Sequence, residues 1–396
     1  KVRQLINHRG VPMSYLKFSI AVFLLVSLVA CSPAPTKSAT TQNVSEADER
    51  AALAEESGLF QPGVAQELLD CQPSAGMTVH CGYRNPEDLV ALPDDKYLVV
   101  SEMAEFLTDA PGTLSLLNLE SGEREPLAVD WSQPISARGD ATCPKPDSAA
   151  FSPHGIDLVR LAGGSLQLLV VNHGKRESVE FFEVTQSNKN WQLAWQGCAI
   201  PPGDPFINDV AALKDGGFLV THMWDKATAF DEVVRKLFSA EPTGWVYEWQ
   251  RGQGFQKVPG SNDLMPNGIA VSGDNTEIYV NIYFGNKTVK IDRGSGKREG
   301  EFTVQQPDNI TVDDEGNLWV ASHKNDPVGQ TCALVTEGPC LLPYEVIKAD
   351  PETMQAEIFL SQDGAPMGFA TVALKVGDRL FMGSAHGDRV VSTPLH

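Results

Sequence analysis

The stretch NDVAALKDGGFLVTH, residues 208–222, decides how this chain folds. It opens with a polar pair, Asn208 and Asp209, and continues as a short apolar strand. A turn at Asp215-Gly216-Gly217 then leads into a second β-rich segment. Two β-rich runs joined by an Asp/Gly turn are typical of a β-hairpin. We therefore predict a hairpin whose first strand starts with two polar side chains.

Five further segments repeat this plan, about 40 to 70 residues apart. They are EDLVALPDDKYLVV (87–100), HGIDLVRLAGGSLQLLVVNH (154–173), NGIAVSGDNTEIYV (267–280), DNITVDDEGNLWVASH (308–323) and MGFATVALKVGDRLFMG (367–383). Each interval leaves room for two more strands, and repetition at this spacing indicates a β-propeller with four-stranded blades. The six units predict an all-β, six-bladed propeller. A row of separate sandwiches is the alternative, but the shared motif disfavours it.

The polar residues that open the units predict a functional site. If each first strand is the innermost of its blade, all the strand starts meet at one mouth of a central channel. The residues placed there are Glu87, Asp88, His154, Asn208, Asp209, Asn267, Asp308 and Asn309. Oxygen donors of mixed charge suit Ca²⁺, whereas zinc sites use Cys and more His. Any single pair could instead cap a turn or strand, so the hypothesis depends on convergence.

Over about residues 81–390 the chain resembles the paraoxonase/arylesterase family of calcium-dependent six-bladed propellers. The resemblance is carried by EDL (87–89), FSPHGI (151–156), VVNH (170–173) with SVE (178–180), ND (208–209), NGI (267–269), DNI (308–310) and LWV (318–320). Each motif alone is common, and all of them in this order are specific. More distantly, the chain is similar to gluconolactonase-type and strictosidine-synthase-like propellers.

The resemblance implies two calcium ions in the channel. The catalytic ion would be held near the mouth by Glu87, Asn208, Asn267, Asp308 and Asn309. The second, structural ion would be held by Asp88, Asp209 and the backbone carbonyl of Ile156. Neighbouring residues on a strand point to opposite faces, so one dipeptide can serve two ions.

The activity that the resemblance implies is hydrolysis of lactones and aryl esters, with calcium polarising the carbonyl and stabilising the oxyanion. The water also needs a base, and we expect His154 to act as that base with His173 as its relay partner. A carboxylate such as Glu87 or Asp308 is the alternative base. His222, His323 and His386 also follow β-strands and are candidates for lining the substrate pocket, with structural roles as the alternative.

Other function classes are less compatible with the sequence. With 31 Lys+Arg against 51 Asp+Glu, the chain lacks the basic surface that nucleic acids require. A serine hydrolase would need a G-x-S-x-G elbow and alternating helices, and the sequence has neither pattern. A strictosidine-synthase-like or gluconolactonase-type enzyme acting on another small molecule is an open alternative. A non-catalytic binding propeller is another, because fold does not determine function.

The start of the chain resembles a bacterial lipoprotein signal over residues 1–31. Lys17 precedes an apolar run, 18–30, that ends at Cys31, the position of lipidation in such proteins. The run is shorter than the roughly 20 residues of a transmembrane helix, which is the alternative. Residues 32–60 predict a flexible tether and residues 61–396 the propeller hydrolase domain. We expect an exported protein anchored to a membrane, in the outer membrane, the periplasm or at the cell surface.

The six cysteines after Cys31 predict disulfides, because an even number beyond an export signal is typical of an oxidising compartment. Fifteen connectivities are possible for six cysteines. Proximity in sequence favours Cys71–Cys81 and Cys332–Cys340, which leaves Cys143–Cys198. None of these cysteines lies near the end of the chain, where the resembled family has one. Ring closure must therefore rest on strand pairing or on other bridges.

A helix is predicted between Lys226 and Trp249. Its apolar residues follow helical spacing at Phe230, Val233, Val234, Leu237 and Phe238. In the resembled family a helix at this place covers the active-site mouth and contacts lipid, and packing on the propeller alone is the alternative. The strand that ends at Trp224 lacks the family's acidic-plus-histidine pattern, which leaves substrate preference open at this point.

Overall fold

The computed structural model describes residues 70–103, 110–134, 138–188, 190–324, 326, 332, 335 and 338–395. Within these ranges the chain forms six β-sheets, one α-helix and one short 3₁₀-helix. The six sheets are the six predicted blades, so the all-β propeller is confirmed. The predicted signal, Cys31 and the tether lie outside the described residues.

The first three blades are numbered in chain order. Blade 1 contains β2 (Pro86–Ala91), β3 (Tyr97–Glu102), β4 (Thr113–Asn118) and β5 (Arg124–Pro126). Blade 2 contains β7 (Pro153–Arg160), β8 (Leu166–Asn172), β9 (Ser178–Ser187), β10 (Asn190–Ala199) and, parallel to β10, β6 (Ala128–Asp130). The 3₁₀-helix, Ser148–Ala150, precedes β7. Blade 3 contains β11 (Pro205–Ala212), β12 (Phe218–Asp225), β13 (Trp245–Gln250) and β14 (Gly254–Lys257).

The last three blades complete the ring. Blade 4 contains β15 (Pro266–Val271), β16 (Glu277–Ile282), β17 (Lys287–Asp292) and β18 (Arg298–Thr303). Blade 5 contains β19 (Pro307–Val312), β20 (Leu318–His323), β21 (Tyr344–Asp350) and β22 (Gln355–Gln362). Blade 6 contains β23 (Ala370–Val376), β24 (Arg379–Ser384), β25 (Arg389–Pro394) and, from the other end of the domain, β1 (Thr78–Cys81).

The innermost strands are β2, β7, β11, β15, β19 and β23. Each lies at one edge of its sheet and contacts the corresponding strand of the next blade around the ring. In blades 1 to 5 this strand begins at a proline, a residue tolerated at the first position of a strand because it has no N–H to donate. The first strand of each repeat is therefore innermost, as predicted.

The ring closes through strand pairing and not through a terminal disulfide. β1 pairs antiparallel with β25, from Thr78 opposite Ser392 to Cys81 opposite Arg389. The ring of His80, on β1, contacts the Gly122 carbonyl at 3.0 Å and the Ser392 hydroxyl at 3.1 Å. The three predicted disulfides are also confirmed: Cys71–Cys81, Cys143–Cys198 and Cys332–Cys340.

The hydrophobic core lies between the blades. Trp249 of blade 3, for example, packs against Phe181 of blade 2 and Phe218 of its own blade, and all three side chains are fully buried. Burial of each such side chain contributes about 1.5–3 kcal/mol to the free energy of folding. Because the apolar residues fill the gaps between sheets, the strand starts at the channel can carry polar side chains.

The predicted helix is present as α1 (Phe230–Phe238). Its buried residues, Val233 and Leu237, pack in one cluster with Met223, Met265 and Tyr283, which flank the channel mouth. Its acidic residues lie in the first turn and its basic residues in the last, as the helix dipole favours. In the part of the chain that the structure describes, no helix has the length and apolarity to cross a membrane.

Candidate active site

Every polar pair of the repeats lies at an irregularity between the innermost strand and its neighbour. The register shifts fall between Pro86 and Asp88, Pro153 and Ile156, Ile207 and Val210, Pro266 and Ile269, and Pro307 and Ile310. A bulge of this kind bends the strand and changes the direction of its side chains. A β-bulge at the same place therefore directs polar side chains to the channel in blades 1 to 5.

Two glycines in these bulges let neighbouring blades approach closely. A Cβ added at Gly155 would lie 2.6 Å from the Asp209 backbone, and one at Gly268 would lie 2.3 Å from the Asp308 carbonyl oxygen. Both distances are far below van der Waals contact, so only glycine fits. The H-G-I and N-G-I motifs thus set the spacing between blades at the site.

The side chains predicted at the channel mouth form one connected cluster. Asn309 donates a 2.7 Å hydrogen bond to Glu87, and Asn208 donates one of 3.2 Å to Nε2 of His154. That Nε2 lies 3.7 Å from Glu87. The structure thus joins residues from blades 1, 2, 3 and 5, and Asn267 of blade 4 lies close enough to Asp308 to oppose the rise of its pKa.

Carboxylates in this cluster are buried together, and their protonation reflects it. Burial, followed by the charges of Asp88 and Asp308, raises the pKa of Glu87 well above its usual range. Burial is also the main cause that raises the pKa of Asp308 to about 8 and that of Asp88 to about 7. Such shifts mark a place where a positive charge would be strongly favoured.

Unpaired oxygens indicate which kind of cation would fit. Within the described ranges, Glu87 Oε2, Asn208 Oδ1, Asn267 Oδ1 and Asn309 Oδ1 are buried and have no hydrogen-bond partner. An oxygen buried without a partner is costly, and these four come from four blades. Carboxylate and amide oxygens are hard donors of the type that Ca²⁺ takes. The residues therefore fit a calcium ion.

Amides make up more than half of this predicted set, which makes it different from a cluster of acidic or histidine ligands. No group of three or more His, Cys, Asp or Glu side chains among the described residues is arranged to hold a metal. The predicted set contains only two carboxylates, Glu87 and Asp308. Transition-metal ligation is thus less compatible with the site than binding of a hard, oxygen-loving cation.

Asp88, Asp209 and Ile156, the second predicted set, are bonded differently. Asp88 accepts the N–H of Leu89 at 2.8 Å and that of Ile156, in the next blade, at 2.7 Å. Asp209 accepts the N–H of Val210 at 2.7 Å and that of Ile269 in blade 4 at 2.8 Å. Both aspartates therefore connect adjacent blades, and each oxygen retains one lone pair for a cation.

The two histidines predicted to act together are neighbours. The rings of His154 and His173 lie 4.9 Å apart, centroid to centroid, at an angle of 74°. Burial, followed by the charge of His173, holds the pKa of His154 well below its usual range, so His154 is neutral near pH 7. A neutral imidazole can accept a proton, which is the first requirement of a general base.

At this point the family can be identified from comparison with known proteins. A model of the family described as Arylesterase matches residues 83–390, which is nearly the whole propeller. The chain belongs to the arylesterase family.

Curated arylesterase relatives agree with this assignment. Human serum paraoxonase/lactonase 3 is 26% identical over 255 residues, covering 60% of this chain and 66% of that protein. Mouse serum paraoxonase/arylesterase 1 is 25% identical over 277 residues, covering 67% and 72%. Among solved structures, a gluconolactonase from Xanthomonas campestris is 18% identical, with a TM-score of 0.48 and coverage of 81% and 89%. A luciferin-regenerating enzyme is 16% identical, with the same TM-score and coverage of 81% and 96%.

The three histidines considered for the substrate pocket of this arylesterase-family protein occupy different surroundings. His222 is fully buried, its ring against Trp245 and its Nε2 3.3 Å from Asp225. His323 is also fully buried, and its Nε2 lies 3.0 Å from the Ala370 carbonyl and 3.5 Å from Asp308. Neither ring is in contact with solvent. His386 is partly exposed and contacts the Val335 carbonyl at 2.9 Å.

Glu177, which contacts His173 directly, is a residue of the site that the sequence does not predict. Its carboxylate oxygens lie 2.9 and 3.1 Å from Nδ1 of His173. Glu177 lies in the turn between β8 and β9, where no strand or helix periodicity applies. The sequence shows only a spacing of four residues between His173 and Glu177. Outside a helix, that spacing does not predict a contact between the two side chains.

Proposed function

We propose that this arylesterase-family protein is a calcium-dependent hydrolase of lactones and aryl esters. The observation that carries the proposal is the set of four unpaired, buried oxygens beside a neutral, buried His154. A cation site and a proton acceptor at the same mouth are the two parts that metal-assisted ester hydrolysis requires. The curated relatives, which bear the names lactonase and arylesterase, support the same reaction class.

We assign the channel-mouth calcium to Glu87, Asn208, Asn267, Asp308 and Asn309. When bound, the ion would supply positive charge that polarises the substrate carbonyl and stabilises the developing oxyanion. The protein's own contribution is to hold five oxygen donors on rigid strand starts of four blades. The 2.7 Å contact between Asn309 and Glu87 orients both side chains before any ion binds.

A second calcium ion, held by Asp88, Asp209 and the Ile156 carbonyl, is part of the proposal. Burial, followed by the charge of Asp88, raises the pKa of Asp209 well above its usual range. Two interacting buried carboxylates favour a counter-ion between them. Because these aspartates also connect adjacent blades, the role of this ion would be structural.

His154 is the proposed base and His173 its partner. His154 Nε2 lies beside Glu87 and Asn208, where a water near the cation site would lose its proton. The buried ring of His173 stacks on Phe206 at 4.8 Å, which restricts its rotation. Aromatic side chains continue outwards from there, because Phe206 stacks on Trp224 at 4.6 Å. This wall suits an apolar or aromatic part of a substrate.

The decisive experiment is a hydrolase screen of the purified protein over lactones and aryl esters, with calcium and with a calcium chelator. Activity that requires calcium supports the proposal. Activity that persists without calcium would indicate another mechanism on the same propeller. No turnover of any substrate would favour a non-catalytic binding propeller.

Anchoring to a membrane through a lipidated Cys31 is a separate proposal, supported by the signal-like residues 1–31. It leads us to propose an exported bacterial lipoprotein, at the outer membrane, in the periplasm or at the cell surface.

A further inference from the structure

Glu177 determines where the proton of His173 resides. Both of its carboxylate oxygens face Nδ1 of His173, at 2.9 and 3.1 Å. A carboxylate can only accept hydrogen bonds, so Nδ1 must carry a proton. The lone pair of the neutral ring is then on Nε2. Within the described residues, that Nε2 is buried and has no hydrogen-bond partner.

The Glu177 carboxylate is itself held in place. Lys226 forms an ion pair with it, and the N–H of Ile207 donates to it at 3.3 Å. Burial alone would raise the pKa of Glu177, but His173 and Lys226 outweigh burial and keep the pKa below its usual value. Glu177 is therefore ionised at neutral pH, although it is almost completely buried.

His154 shows the complementary arrangement. Its Nε2 accepts a hydrogen bond from Asn208 at 3.2 Å, which places the lone pair on Nε2 and the proton on Nδ1. Nδ1 is buried and has no hydrogen-bond partner in the described part of the chain. An unpaired donor on His154 and an unpaired acceptor on His173 thus occur on rings whose centroids are 4.9 Å apart.

We propose that Glu177 is a positioning residue that fixes the tautomer of His173, as Asn208 fixes that of His154, and thereby directs proton transfer between the two rings. The O–H bond of the attacking water would break as its oxygen bonds the carbonyl carbon and its proton bonds His154 Nε2, whose lone pair the Asn208 N–H must release for this step. The N–H bond at His154 Nδ1 would then break and a new one form at His173 Nε2. The positive charge then resides on the ring that contacts the Glu177 carboxylate. This inference rests on the proposed function, because the water is the one that attacks the ester or lactone.

The Glu177 carboxylate and the Lys226 ammonium come from two separate turns. Glu177 lies in the turn between β8 and β9, and Lys226 directly follows the end of β12. Two loops that are distant in sequence therefore meet at His173.

The first test is the tautomer itself, which does not depend on activity. ¹⁵N-labelled histidine distinguishes the protonated from the unprotonated ring nitrogen by NMR, with His154→Gln and His173→Gln variants to assign the signals. We expect both rings to be protonated on Nδ1 in the wild type and His173 to become a mixture in Glu177→Gln. The matched control is Glu180→Gln, which alters a buried glutamate paired with Arg176 and should leave both rings unchanged.

The second test is kinetic, on the best substrate of the screen. Glu177→Gln should lower kcat about 10- to 100-fold with KM unchanged, as loss of a residue that orients a reacting group typically does. Glu177→Asp should restore part of kcat, because it retains the charge. Lys226→Gln should lower kcat less than Glu177→Gln, and it tests the same assembly if Glu177→Gln does not fold.

Three results would overturn the inference. The first is a wild-type His173 protonated on Nε2, and the second is a Glu177→Gln variant with unchanged tautomers. The third is a Glu177→Gln variant with changed tautomers and full kcat. If the wild-type protein hydrolyses no substrate, the proposed function fails, and the NMR measurement still decides whether Glu177 sets the tautomer of His173.

Discussion

Asn309 of blade 5 donates a 2.7 Å hydrogen bond to Glu87 of blade 1, although blade 6 lies between these blades in the ring. The two residues are 222 positions apart in sequence. Their contact crosses the channel and leaves one oxygen of each side chain unpaired among the described residues. The candidate cation site thus joins strand starts of blades that are not adjacent in the ring.

Calcium removal should lower thermal stability, because a ligand that binds only the native state stabilises it by mass action. Calcium at 100 times its dissociation constant would contribute about 2.7 kcal/mol. The measurement is the melting temperature with calcium and with a chelator. Glu180→Gln, a change in a buried carboxylate outside the channel, should preserve the full difference. A melting temperature that does not respond to calcium would contradict calcium binding.

Asp209→Ala and Asn267→Ala should affect different properties. Asp209→Ala leaves the N–H groups of Val210 and Ile269 without an acceptor, which costs about 1–3 kcal/mol for each unpaired group. Asn267→Ala removes a proposed calcium ligand and should mainly reduce turnover. Urea unfolding and kcat, measured on both variants, separate the two effects. The reverse assignment of effects would show that the two sets of ligands are wrongly divided.

His154→Gln should lower kcat by ~10²–10⁴-fold, the usual cost of losing a general base. His173→Gln should cost less, because His173 is not expected to contact the water. Calcium titration of both variants should match that of the wild type. Full turnover in His154→Gln would require another base, and the next candidates are Glu87 and Asp308.

Stability of the calcium-free protein should fall as the pH rises. The pKa of Asp308 is raised by burial to about 8 in the folded state, against about 3.9 in an unfolded chain. A raised carboxyl pKa gives a contribution that is complete below the unfolded pKa and is lost as the pH rises through the folded one. Thermal melts between about pH 4 and 8 should show this decline, and Asp308→Asn should reduce it. A pH dependence of Asp308→Asn that matches the wild type would contradict the burial of an uncompensated carboxyl at this position.

Labelled palmitate should be incorporated into the wild-type protein in a bacterial host and not into Cys31→Ala. The physical reason is that only the Cys31 thiol stands at the end of the signal-like apolar run. Gel autoradiography of the two purified proteins is the measurement. Equal labelling of both would show that the lipid, if present, is attached elsewhere.

The fold was predictable because each repeat carries its own local sequence pattern. An Asp/Gly turn between two apolar runs is readable from sequence, and so are the helix from Phe230 to Phe238 and the three disulfides. The short parallel strand β6, which makes blade 2 five-stranded, was not predicted. Its three residues carry no alternation of their own, and their position depends on the exposed edge of β10.

The candidate site was predictable only as a set of positions. The strand starts were readable because polar residues interrupt apolar strands there. The bulges were not readable from the sequence. A regular strand alternates its side chains between two faces, and the register shifts at Asn267 and Asp308 interrupt that alternation. Glu177 could not be predicted from the sequence for a related reason, because only the folded turn brings its carboxylate to His173.

The pairing of β1 with β25 also has a consequence for the order of folding. His80 and Ser392, which it joins, are 312 residues apart, and closing so long a loop costs entropy before any of its contacts form. The hairpins of blades 1 to 5 are local and can form while the chain is still growing. Blade 6 needs both ends of the domain, and Glu87 can meet Asn309 only when blade 6 is in place. We therefore expect the last and slowest step of folding to be the one that assembles the candidate active site.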